Sequence, residues 1–123
     1  MASELSISTL TIAFTKANVG SVEVAPIALS VTVSGNQFMD NVQAVGTSEE
    51  AILLGDVGTG GYWFVQNMDA TNFVELRSGT GATDFIKLLA GEWAIFRTSA
   101  DAAAPFAIAD TASCNVRFLR FDV

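Results

Sequence analysis

The sequence predicts an all-β chain, a single-domain antiparallel β-sandwich of about eight to ten strands. Three observations carry that prediction. Stretches of alternating apolar and polar residues recur at intervals of roughly ten positions. Turn-forming Gly, Asn and Asp residues separate them, and no apolar pattern of period 3.6 persists beyond two turns.

Residues 4–15 (ELSISTLTIAFT) alternate and are rich in β-branched types, but the apolar phase shifts between Ile7 and Leu10. Such a shift predicts a bulge or a change of sheet. Residues 27–34 (IALSVTVS) alternate most cleanly, with Ile27, Leu29, Val31 and Val33 on one face. Pro26 is expected to mark the start of that strand, and Ser34-Gly35-Asn36 its end. Residues 37–46 and 50–55 read as weaker strands, and Gly55–Gly61 (GDVGTGG) as a flexible connection. Further strands are expected at 62–68, 73–77, 84–89, 93–98, 105–109 and 113–122. Asp69-Ala70-Thr71-Asn72 suits a four-residue strand connection, and Gly91 a second reversal. Ala100–Pro105, small residues before a proline, reads as an exposed loop or a segment lying on something else. Jelly-roll and immunoglobulin-like strand orders are equally compatible with this pattern.

At 123 residues the chain is one domain's length, and it can bury a core without staples. Residues 1–20 are a candidate arm. Half of the residues are apolar, only 15% are charged, and the net charge is −7. The six cations are dispersed, so the clustered Lys and Arg that neutralise phosphates are lacking, and neither nucleic acid nor an anionic membrane is expected as partner. The first ten residues lack the basic and apolar regions of a signal peptide. The single cysteine, Cys114, fits a reducing cytoplasm and reads as a buried inert thiol.

With no histidine, neither a Ser-His-Asp triad nor a Cys-His pair can form, and imidazole- or thiolate-based metal sites lack ligands. Carboxylates at Asp69, Glu75, Asp84 and Glu92 show no spacing that singles out a catalytic pair. No enzyme, cofactor or metal is therefore expected. GDVGTGG lacks the Lys-Ser/Thr of a phosphate loop and leads into a strand. Tyr62, Trp63 and Trp93 could offer a sugar platform, but burial in the core or a subunit interface accounts for the tryptophans better. Arg117 and Arg120 suit either a solvated face or contacts with a neighbouring subunit. Tyr62, Trp63, Trp93, Arg117 and Arg120 are thus the candidate interface residues.

Three segments, GGYWFVQNMDATNFVEL, FIKLLAGEWAIFR and AIADTASCNVRFLRFD, together resemble a group of small tailed-bacteriophage virion proteins. The shared pattern is an aromatic strand, an N-x-D-x-x-N-hydrophobic turn, a Gly-Glu turn and a last strand after Ala-Asp-Thr, covering residues 60–122. The resemblance implies a β-sandwich that assembles into or onto a virion made in a bacterial cytoplasm. It would be a head decoration (cement) protein or a tail, neck or baseplate subunit; a carbohydrate-binding module of a host-recognition structure is the alternative. It carries no catalytic residues. The expected partners are the chain itself, as a homo-oligomer such as a trimer, and the major capsid protein or other virion proteins. The apolar, charge-poor composition suits a surface that a symmetric partner covers.

Overall fold

A computed structural model describes residues 4–58 and 60–123, and every regular element among them is a β-strand. The chain divides into two compact units, the first ending at Ser34 and the second spanning Gly35–Val123.

The first unit is one antiparallel ribbon, β1 (Glu4–Lys16) against β2 (Gly20–Thr32). Asn18, with φ 62°, sits in the turn between them, where asparagine tolerates the left-handed region. The register explains the phase shift in the sequence. Between Ile7 and Leu10, β1 carries one residue more than its partner; between Leu10 and Ile12, the extra residue is on β2, beside Pro26. Each bulge absorbs the residue that breaks the alternation. The result is five apolar cross-strand pairs in succession: Leu5–Val31, Ile7–Leu29, Leu10–Ile27, Ile12–Val24 and Phe14–Val22. Directly opposed residues share a face, so the ribbon is amphipathic. Pro26 therefore does not begin a strand; it lies inside β2 at a bulge, one of the few places where a missing N–H is tolerated. The ribbon also extends beyond the expected arm at 1–20.

The second unit holds eight strands in two sheets. One sheet has the order β3 (Phe38–Val45), β10 (Cys114–Phe121), β5 (Gly61–Asn67), β8 (Trp93–Thr98). The other runs β4 (Glu50–Ala51), β9 (Phe106–Ala109), β6 (Val74–Arg77), β7 (Asp84–Leu88). All pairings are antiparallel. Folded as a long hairpin, the chain would pair β3 with β10, β4 with β9, β5 with β8 and β6 with β7. Those four pairs are all present, dealt alternately to the two sheets, and this is the jelly-roll topology. The strand order decides between the two sandwich types that the sequence left open.

The core lies between the sheets, where inward residues of both layers meet: Val45, Trp63, Val65, Val116 and Phe118 from one, Val74, Leu76, Leu88, Ala107 and Ala109 from the other. Cys114 is buried with them, its thiol donating to the carbonyl of Phe73 at 3.5 Å, and burial pushes its pKa up, helped by the charges of Asp69 and Asp110. Strand β4 covers only part of the expected 50–55. Beyond it the backbone is held instead by Gln43, whose amide donates to Ala51 O and accepts from Leu53 N, both at 3.0 Å, and by Ile52 N donating to Pro105 O.

Candidate functional site: an apolar sheet face

Strand parity decides which candidate residues can reach a partner. Along β5, Trp63, Val65 and Asn67 point inward, and Tyr62, Phe64 and Gln66 point outward. Along β10, Cys114, Val116, Phe118 and Arg120 point inward, and Arg117, Leu119 and Phe121 outward. Of the five candidate interface residues, Tyr62, Trp93 and Arg117 therefore lie on the outer face of the β3-β10-β5-β8 sheet. Trp63 and Arg120 do not: they are 1% and 0% exposed. That part of the expectation is corrected by the alternation of the strands themselves.

Arg120 instead organises the interior. Its guanidinium stacks over Trp63 at 3.9 Å and donates to the carbonyls of Leu54 and Val57, both at 3.2 Å, and of Gly58. Among the described residues no carboxylate bonds to it, and desolvation pulls its pKa down to about 10, with the charge of Asp122 opposing. It remains protonated at neutral pH. The connection read as flexible is thus gathered onto a buried cation, and Val57 within it is buried. Trp63 also stacks on Phe96 at 5.7 Å, meets Phe118 edge-on at 6.4 Å, and donates from Nε1 to Thr98 Oγ1 at 3.0 Å. Gly61, two positions before it, needs to be glycine. Its φ is 146°, and a Cβ would stand 2.6 Å from the Phe121 carbonyl oxygen.

The outer face reads, row by row across β3, β10, β5 and β8, as Phe38–Phe121–Tyr62–Arg97, then Asp40–Leu119–Phe64–Ile95, then Val42–Arg117–Gln66–Trp93. Eight of these twelve side chains are apolar or aromatic. Phe38 is 70% exposed, Val42 51% and Trp93 50%, the last tilted against Phe64 at 6.1 Å. The charges on the face are already committed. Arg117 binds Asp40 through two bonds of 2.9 and 2.8 Å, which lowers the Asp40 pKa, and Arg97 lies over the Tyr62 ring at 5.3 Å. A soluble antiparallel sandwich ordinarily turns polar side chains outward. This sheet is apolar on both sides.

The turn residues behave as the sequence implied. Asp69 Oδ2 accepts from the backbone N–H of Asn72 at 2.7 Å and of Thr71 at 3.0 Å, and these bonds, Asn72's first, hold its pKa below the ordinary carboxylate range. Asn72 accepts from the Thr111 hydroxyl at 2.9 Å. What the residue pattern did not reveal is Asn67, fully buried, whose amide donates to Asn72 O at 2.8 Å and Leu88 O at 3.1 Å while accepting from Asp69 N. Its inward parity after Trp63 and Val65 was the available signal. Of the carboxylates considered for catalysis, Asp84 is paired with Arg77, which also bridges to Glu49. Glu92 caps Leu89 N at 2.8 Å in the turn where Gly91 has φ 80°.

A cleft of about 450 Å³ opens between β7 and β8, with Leu76, Ile86, Phe96 and Pro105 among its lining residues. Among the described residues, no group of three His, Cys, Asp or Glu could hold a metal ion. Comparison of the chain with protein-family models, with curated proteins and with solved structures found no match.

Proposed function

We propose that the chain is a non-enzymatic structural subunit of a phage virion, a cement protein that binds an assembled shell, with the N-terminal ribbon as its assembly arm. The observation that carries this reading is the ribbon's apolar face. An isolated two-stranded hairpin is marginal in water, and a hydrophobic face needs another layer to bury it. Here Ile12, Phe14, Val22, Ile27 and Leu29 stand at about half exposure or more. A ribbon of this kind gains its stability from the surface it lands on. A ligand that binds only the assembled shell stabilises that shell by mass action. The resemblance over residues 60–122 supplies the virion context.

The test is addition of purified protein to expanded capsids lacking it. Saturable binding and a raised capsid disruption temperature are expected. A protein that leaves both the sedimentation and the thermal disruption of such capsids unchanged is not a cement protein. In purified particles, hundreds of copies on the head agree with this reading, whereas a few dozen or fewer assign the chain to neck or tail.

A further inference from the structure

We propose that the apolar outer face of the β3-β10-β5-β8 sheet is the docking site for the N-terminal ribbon of a second copy of this chain, so that each copy gives one ribbon and receives another. The inference deepens the assembly role proposed above and rests on it only for the biological setting.

Two features favour this occupant. The first is kind: both surfaces are β-structure whose apolar side carries large side chains at about half exposure or more, and sheets pack face to face at about 10 Å. The second is extent. From Leu5 to Phe14 the five apolar pairs run along roughly 30 Å of ribbon, and an eight-residue strand such as β3 runs about 26 Å. Of the five aromatic and three aliphatic side chains of the face, Phe38, Val42 and Trp93 are half exposed or more and the other five are partly buried, which leaves on the order of 500 Å² to cover. Covering them with a ribbon of equal area buries roughly the 1,000 Å² that a specific interface needs.

Because donor and acceptor surfaces differ, the contact is heterologous, and it closes either as a reciprocal pair or as a small ring. Ordering the ribbon and covering the sheet are then the same event. The Arg117–Asp40 pair and the Arg97–Tyr62 stack enter the interface already partnered, so burial leaves little uncompensated charge.

Two full-length variants test this by sedimentation velocity. Phe14→Asp/Val22→Asp charges one cross-strand pair of the ribbon and leaves the face intact. Val42→Asp/Trp93→Asp charges the face and leaves the ribbon intact. Wild type is expected to associate at tens of micromolar, each variant alone to be monomeric, and an equimolar mixture to form a 1:1 dimer through the one remaining ribbon–face contact. Self-association of the ribbon variant alone, or of the face variant alone, overturns the proposal in favour of like-to-like contact. A mixture that stays monomeric, or a wild type that is monomeric at 100 micromolar, overturns it outright. Near-UV circular dichroism checks folding, and Val42→Ser/Trp93→Ala replaces the face variant if aspartates unfold it. Capsid binding, measured separately, distinguishes the two readings: a monomeric wild type that still binds capsids refutes only the ribbon exchange. Complementation without capsid binding refutes only the cement role.

Discussion

Arg117 and Arg120 are three positions apart on one strand and have opposite fates, which makes them a sharp test of how parity governs this protein. Arg117 lies on the outer face in a half-exposed pair with Asp40, and exposed pairs contribute little. Arg120 holds three carbonyls of the 54–58 segment from inside. Arg120→Ala would leave those carbonyls unpaired and open a cavity against Trp63. A loss of about 3 kcal/mol or more is expected from such a change. For a domain of this size that lowers Tm by more than ~10 °C. Arg117→Ala should leave Tm nearly unchanged. Differential scanning calorimetry of the two variants decides the matter, and equal melting temperatures would contradict the buried role. Asn67 supports a parallel prediction. Asn67→Ala removes partners from Asn72 O, Leu88 O and Asp69 N and is expected to cost about 2–3 kcal/mol in urea unfolding. Asp69→Ala with Asn72→Ala removes the bonds of a partly exposed turn and its link to the Thr111 hydroxyl, and should destabilise less.

At the scale of elements, the ribbon and the sandwich differ in what holds them. Core strands such as β5 and β10 have hydrogen-bonded neighbours on both edges and a packed layer beneath. Each strand of the ribbon is paired along one edge only, and the ribbon has an exposed apolar face. Hydrogen exchange should therefore show fast exchange across 4–16 and 20–32 at low protein concentration, and slow exchange in β5 and β10. On association the ribbon's protection is expected to rise by tenfold or more, the change that about 1.4 kcal/mol of local stabilisation brings. Protection of the ribbon that is independent of concentration would mean that it is stabilised within its own chain. The same contrast explains what could be read from sequence. The strands from 62 onward were legible within a residue or two because period-2 alternation and turn residues are local signals. The bulge near Ile7 was legible too, since a broken alternation has few other causes. Strand β2 was half missed because Pro26 is a strong local stop signal, and only the bulge in β2 itself makes room for it. Arg120's carbonyl partners lie more than sixty residues away in the chain, so no local pattern announces them. The apolar outer face was hidden for a different reason. Alternating strands of YWFVQN type, apolar on both parities, look the same whether the second face meets a core or a partner.

For the whole molecule the dominant electrostatic fact is the net charge of −7, with a sequence pI near 4.2. Two copies approaching each other both carry this net negative charge and repel at long range. At low ionic strength, where the screening length is about 30 Å, the long-range repulsion should win; at 0.15 M it is about 8 Å, and the short-range apolar contact prevails. Self-association at pH 7 is thus expected to strengthen on going from 0.01 to 0.15 M salt. Lowering the pH toward 5 should strengthen it further by protonating carboxylates. Fold stability moves the other way at still lower pH. Asp40, Glu49 and Asp69 are held below their ordinary pKa values, by Arg117, by Arg77 with Gly81 and Thr80, and by the Asn72 and Thr71 amides respectively. Their folded pKa values lie below the unfolded ones near 4, so their stabilisation is complete above that range and fades as pH falls through the lower folded values. All three groups are solvent-accessible, so the fade is gradual. A sedimentation series from pH 7.5 to 5 alongside thermal melts from pH 5 to 2.5 separates the two effects. The sedimentation series should show association increasing as pH falls, and the melts should show Tm declining only below about pH 4. Association that instead weakens with salt at pH 7 would mean that charge pairing, and not buried apolar surface, holds the copies together.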